Sequence, residues 1–196
     1  MLKKPNNWEN VKAATERETL PKGGYVVKIL DAKTITYGTA PNTFDKLEIS
    51  LDIVEGDFKD FYANDYRAQM QEDKKWKGIL RQYTPKDDGS EKDEWTKSSF
   101  KAMTEAIEES NTGYHFDWDE AHTKGKIVGC LFRSEEWEYN GKTGFATHAF
   151  KFVSADNIRQ GKFKMPKDKL LANAVSHTDS ANGGFEEISG LNDLPF

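Results

Sequence analysis

Between residues 46 and 53 the chain alternates strictly: Leu47, Ile49, Leu51 and Ile53 fall on one side, Lys46, Glu48, Ser50 and Asp52 on the other. One apolar row at a period of two predicts an antiparallel strand with one face buried. Residues 25–36, β-branched and aromatic, predict an earlier strand, entered through the breaker cluster Leu20, Pro21, Lys22, Gly23 and Gly24. Residues 37–42 read as the turn between the two. Glu55-Gly56-Asp57 is a turn signal, so residues 58–62 read as the third strand of a meander. The pattern then lapses over residues 63–78, which predicts a helical or irregular insertion; residues 79–84 fit either a short strand or a helix end. Residues 85–93 read as an exposed loop. Phe100, Met103 and Ile107 recur at helical spacing, with Thr96 or Ser98 as N-cap and Asn111-Thr112-Gly113 as the stop. Strand signals resume over residues 126–139, turn at Asn140-Gly141, the strongest short hairpin signal, and return over residues 143–153. Residues 8–16 and 155–161 read as short helical pieces. Three strands, a helix and a two-strand hairpin predict a mainly β domain, an OB-fold-like five-stranded barrel with one helix and an inserted irregular segment.

Composition divides the chain into three parts. Residues 1–19 are a polar extension, residues 20–170 the barrel domain, and residues 171–196 a flexible acidic tail rich in Ser, Asn, Gly and Ala. The net charge is −5, from 28 basic and 33 acidic residues, but no Lys or Arg follows Lys169, whereas Asp179, Glu186, Glu187 and Asp193 do. The body is therefore close to neutral, which excludes a simple polycation but not a segregated basic face. The single cysteine, Cys130, sits in an apolar run and reads as a buried small residue. No apolar run approaches the roughly 18 residues of a membrane span, and the N-terminus lacks the apolar stretch of a signal peptide, so the expected location is cytoplasmic.

Motifs for catalysis are missing: no HExxH, CxxC, GxxxxGK[ST] or GxSxG pattern occurs. His115, Asp117, Asp119, Glu120 and His122 have the composition of a metal site, but an acidic solvated loop is the plainer reading; no enzyme, cofactor or metal is expected. Binding of single-stranded nucleic acid needs aromatic faces for bases and cations for phosphates. Three places combine them: Lys74, Lys75, Trp76 and Lys77 with Arg81 and Tyr83; Arg133, Trp137 and Tyr139 on one strand face with Lys142 at the hairpin tip; and Lys59, Phe61, Tyr62, Tyr66 and Arg67. The competing reading of the first is a solvated segment with Trp76 packed on the barrel. Residues 159–169 hold five bases and one acid and read as a linker that either contacts nucleic acid or holds the acidic tail.

The tail ends in Leu191-Asn192-Asp193-Leu194-Pro195-Phe196. This tip resembles the acidic Pro-Phe ending of bacterial single-stranded-DNA-binding proteins. The entrance at residues 20–29, the alternating second strand, residues 54–60 and the Asn140-Gly141-Lys142 hairpin resemble a family of phage-encoded OB-fold single-stranded-DNA-binding proteins, over roughly residues 20–170. The acidic stretch 87–94 departs from that pattern and adds repulsion toward DNA. The resemblance implies sequence-independent binding of single-stranded DNA in phage replication or recombination, inside the host cytoplasm. It also implies recruitment of a replication or recombination protein through Asp193, Leu194, Pro195 and Phe196; self-association stays open. Two rival expectations are an acidic inhibitor that mimics DNA and a metal-dependent nuclease built on the residues from His115 to His122.

Overall fold

The computed structural model describes residues 3–10 and 18–171. Five strands form one antiparallel sheet: β1 (Gly23–Thr39), β2 (Asn42–Ile53), β3 (Ile79–Tyr83), β4 (Ile127–Tyr139) and β5 (Lys142–Val153), in the spatial order β3-β2-β1-β4-β5. Three α-helices accompany it: α1 (Phe61–Ala68), α2 (Glu91–Ser110) and α3 (Ala155–Arg159). The sheet is not closed by hydrogen bonds. It curls until its two edge strands, β3 and β5, approach each other, and α2 packs across both. The residues from Trp8 to Asn10 form a single 3-10 turn. Among the described residues no helix is long and apolar enough to cross a membrane.

The alternating row of β2 is the centre of the core, with Leu47, Ile49, Leu51 and Ile53 all buried. Val27, Ile29 and Ala32 of β1 join it although Ile29 and Ala32 are three apart. A bulge reconciles them: Ile29 opposes Leu51 and Asp31 opposes Ser50, so Leu30 is the extra residue and the core face is kept on both sides of it. Phe100, Met103 and Ile107 of α2 cap this core from the helix side, as their spacing predicts. Cys130 is wholly buried, and that burial pushes its thiol pKa up. Asn140 and Gly141 take φ of 51° and 70°, the left-handed pair that a two-residue hairpin turn demands.

Three expectations are corrected. The third strand is residues 79–83, not 58–62. Residues 57–60 turn and Phe61 opens a helix, because Asp52 intervenes. The Asp52 carboxylate is buried at the start of α1 and accepts from the N–H groups of Ile53 (2.9 Å), Tyr62 (3.0 Å) and Ala63 (3.0 Å). It supplies the cap that Asp60, left-handed at φ 61°, does not. Residues 37–39 extend β1 and residues 42–45 extend β2, so the two form one long hairpin rather than a broad turn. Finally, α2 begins at Glu91, well before Thr96 and Ser98. Asp93 accepts from the N–H groups of Asp87 (3.0 Å) and Gly89 (3.2 Å), and Glu91, Asp93 and Glu94 lie at the positive end of the helix dipole. Residues 85–90 are the expected loop, and residues 91–94 of the acidic stretch form the first turn of the helix.

Candidate nucleic-acid interface

In the register of the sheet, Tyr37 lies directly opposite Phe44, Lys46 opposite Tyr83, and Glu48 opposite Arg81. All six side chains lie on the side of the sheet away from the core, since their neighbours Leu47, Ile49 and Leu80 are buried. There they form a row across three strands. Tyr37 and Phe44 stack at 5.8 Å and 13°, Phe44 and Tyr83 are 5.7 Å apart, and Tyr83 meets Trp95 of α2 edge-on at 5.7 Å. Lys46 Nζ stands over three of the rings, 4.3 Å from the centroid of Tyr83, 5.4 Å from Phe44 and 5.6 Å from Tyr37. Trp95 is 50% exposed and the other rings are half-buried. A cation above a solvent-facing aromatic row is the pairing that stacks bases and draws phosphate.

Glu48 sets the electrostatics of this row. It accepts from the Tyr37 hydroxyl and from Arg81 Nε (2.5 Å), and Arg81 also donates to the Tyr37 oxygen (3.3 Å). The Tyr37 hydrogen bond, with Arg81 beside it, holds the Glu48 carboxyl below the usual carboxylate range. Arg81 is thereby oriented but internally neutralised.

Tyr37, Phe44, Lys46 and Trp95 were not among the sequence candidates. The signal was present: carrying the solvent-side row of β2 back from Lys46 by two residues reaches Phe44, an apolar residue on the polar face.

The two candidate clusters flanking α1 converge. The Tyr66 ring lies 5.9 Å from Trp76, and Lys74 Nζ lies 5.8 Å from the Tyr66 centroid and donates to the Arg67 carbonyl (3.3 Å). Lys59, Arg67, Lys74, Lys75 and Lys77 are exposed. Lys77 pairs with Asp65 (3.1 Å) and Lys75 with Asp73 (3.6 Å). Trp76 instead packs on the core and donates its indole N–H toward the carbonyls of Leu51 (3.2 Å) and Gly78 (3.1 Å). Tyr62 is corrected outright. It is only 6% exposed, with its ring against Phe132 and Trp76, so it offers no face to a base. Residues 79–83 run from this patch to the aromatic row, making β3 the connection between them.

The third cluster is on the β4–β5 hairpin. Arg133, Trp137 and Tyr139 do share one face, opposite His148, Gly144 and Lys142 respectively. Trp137 lies over Gly144, where an added Cβ would come within 2.6 Å of the indole. Tyr139 is 72% exposed beside Lys142 at the tip. Arg133 is tied down by Glu135 (2.9 Å) and by the Phe150 ring 4.3 Å from its guanidinium carbon. This hairpin and the β1–β2 hairpin leave the shared β1–β4 ladder at opposite ends, since β1 runs on past Lys28 and β4 past Phe132.

In the loop before β4, His122 Nδ1 pairs with Asp117 (2.8 Å), which raises the imidazole pKa and lowers that of the carboxyl. Among the described residues no group of three His, Cys, Asp or Glu side chains is arranged to hold a metal. In the basic stretch 159–169, Arg159 is bound by Glu55 (2.7 Å) and Asp156 (2.8 Å), and Lys169 exchanges backbone hydrogen bonds with Ser134 and Glu136 along β4. The proposed partner residues Asp193, Leu194, Pro195 and Phe196 lie outside the described residues.

Compared with known proteins, the chain matches no protein-family model and no curated protein.

Proposed function

We propose that this protein binds single-stranded DNA without sequence preference, across the outer face of β1, β2 and β3. The observation that carries the reading is the solvent-facing row Tyr37–Phe44–Tyr83–Trp95 with Lys46 over its rings. Stacked aromatic rings accept any base, and each base stacked on such a ring is worth about 1–3 kcal/mol. The sheet order, the helix between β3 and β4, and the approach of β3 to β5 support an OB-type barrel, whose β2–β3 face and hairpin loops commonly hold oligonucleotides. On this reading Tyr66, Lys74 and Lys77 extend the track at one end of β3, and Tyr139 and Lys142 contact the strand from the β4–β5 hairpin. The acidic tip is the hook for a replication or recombination protein, the role that its likeness to other single-strand binders suggests.

Gel shifts with matched single-stranded and duplex oligonucleotides across a salt series test the reading. Single strands bind in the micromolar range or tighter at low salt and weaken as salt rises, because neutralised phosphates release counterions. Duplex binds much less, since its bases cannot reach the rings. Equal affinity for both, or none for either, overturns it.

A further inference from the structure

The seam where the sheet fails to close contains a cavity. Between β3 and β5, under the first turns of α2, lies a space of about 280 Å³ whose lining includes Gln82, Trp95, Ser99, Ala102, Met103 and Lys151. That is at the small end of ligand cavities, which run to about 300–1,000 Å³, and it suits one flat ring rather than a whole nucleotide. Its apolar wall comes from the core, with Met103 and Phe152 both buried.

Its polar wall is unfinished. The Gln82 amide nitrogen donates to Ser99 Oγ (2.6 Å) and to the Tyr83 carbonyl (3.3 Å), which uses both amide hydrogens. Among the described residues no further protein group meets the Gln82 amide oxygen or the Ser99 hydroxyl hydrogen, and both residues are half-exposed, so a ligand there would replace water. An acceptor and a donor side by side match the hydrogen-bonding edge of a nucleobase, which carries both. Trp95 belongs at once to the cavity wall and to the end of the aromatic row, where it meets Tyr83 at 5.7 Å. Lys151 brings a cation to the same lining from β5.

We propose that one nucleobase of the bound strand leaves the outer-face row at Trp95 and inserts into this seam. Its ring lies against the indole and Met103, its edge bonds to Gln82 and Ser99, and Lys151 takes the adjoining phosphate. In a single strand such a base is already unpaired, so extruding it costs little. The inference rests on the single-strand reading and adds one position at which the base, not only the backbone, is held.

The test uses the shortest oligothymidylate that still binds tightly, with a single abasic residue moved through it one position at a time. Full-length wild type is compared with Ala102→Met, which narrows the cavity from an exposed helical position with little loss of helix propensity. In the wild type one position carries an abasic penalty on the order of tenfold beyond the others. In Ala102→Met that extra penalty disappears while the salt dependence is unchanged, and Ser99→Ala reduces it. A flat abasic profile in the wild type, or the same peak in Ala102→Met, overturns the inserted base while leaving the single-strand reading standing. Failure of the intact oligonucleotide to bind overturns both.

Discussion

On the proposed reading, single residues decide how strongly the outer face attracts phosphate, and Glu48 opposes it. Its carboxylate occupies Arg81 and the Tyr37 hydroxyl, so the face carries an internal acid where a phosphate would otherwise sit. Glu48→Gln keeps an acceptor for Tyr37 and removes the charge. Single-strand affinity is expected to rise several-fold, with the salt slope steeper by about one phosphate's worth; Arg81→Ala moves both the other way. The same group has a pH signature. Because its pKa is depressed in the folded protein, its contribution to stability is present above the ordinary carboxylate range and is lost as pH falls through the depressed value. Asp52 is the second decisive residue, and its role is structural. Asp52→Ala leaves the N–H groups of Tyr62 and Ala63 without their buried acceptor, so chemical denaturation should show a loss of about 1–3 kcal/mol. A loss below 0.5 kcal/mol would show that α1 does not depend on this cap.

At the scale of elements, β4, β5, their turn and the core face of β2 were legible because local pattern and tertiary burial agree there. Residues 58–62 were not, because a carboxylate from β2 starts the helix, and no window around Phe61 contains that information. The short strand β3 was ambiguous because five residues cannot display a period. It became a strand by pairing with the edge of β2 that would otherwise be open, with Ile79 opposite Ser50 and Tyr83 opposite Lys46. The same limit explains the proposed binding face. Tyr37, Phe44 and Tyr83 come from three strands, and only the register shows that they adjoin. Two elements now separate by function. Trp76→Ala should lower stability by at least the low end of the roughly 3–5 kcal/mol typical of losing a large aromatic, because the indole packs on the core and donates to backbone carbonyls. Tyr139→Ala, at the exposed hairpin tip, should leave the melting temperature unchanged and weaken single-strand binding by about 1 kcal/mol or more. Thermal melts beside binding titrations separate the two, and a Tyr139→Ala variant with wild-type affinity removes the hairpin from the interface.

For the whole molecule, charge is distributed along the chain as well as over the fold. Every Lys and Arg lies at or before Lys169, and the stretch beyond it adds only Asp179, Glu186, Glu187 and Asp193. Among the described residues the buried apolar side chains run from Leu20 to Ala155, and the Ser-, Asn-, Gly- and Ala-rich composition of that stretch offers little to pack. Deleting residues 174–196 is therefore expected to leave the melting temperature of the protein unchanged. Single-strand affinity should stay equal or rise, since four carboxylates that repel phosphate are gone and none of the cations of the outer face is touched. What should be lost, on the proposed reading, is capture of a partner: Asp193, Leu194 and Phe196 combine acidic and apolar side chains that a basic-rimmed apolar pocket can grip. Pull-downs with purified replication and recombination proteins, using full-length, tail-deleted and Phe196-deleted forms, should show capture by the first alone. A tail-deleted protein that holds the same partner removes the hook, and a large fall in its DNA affinity would assign the tail to the DNA-binding surface instead.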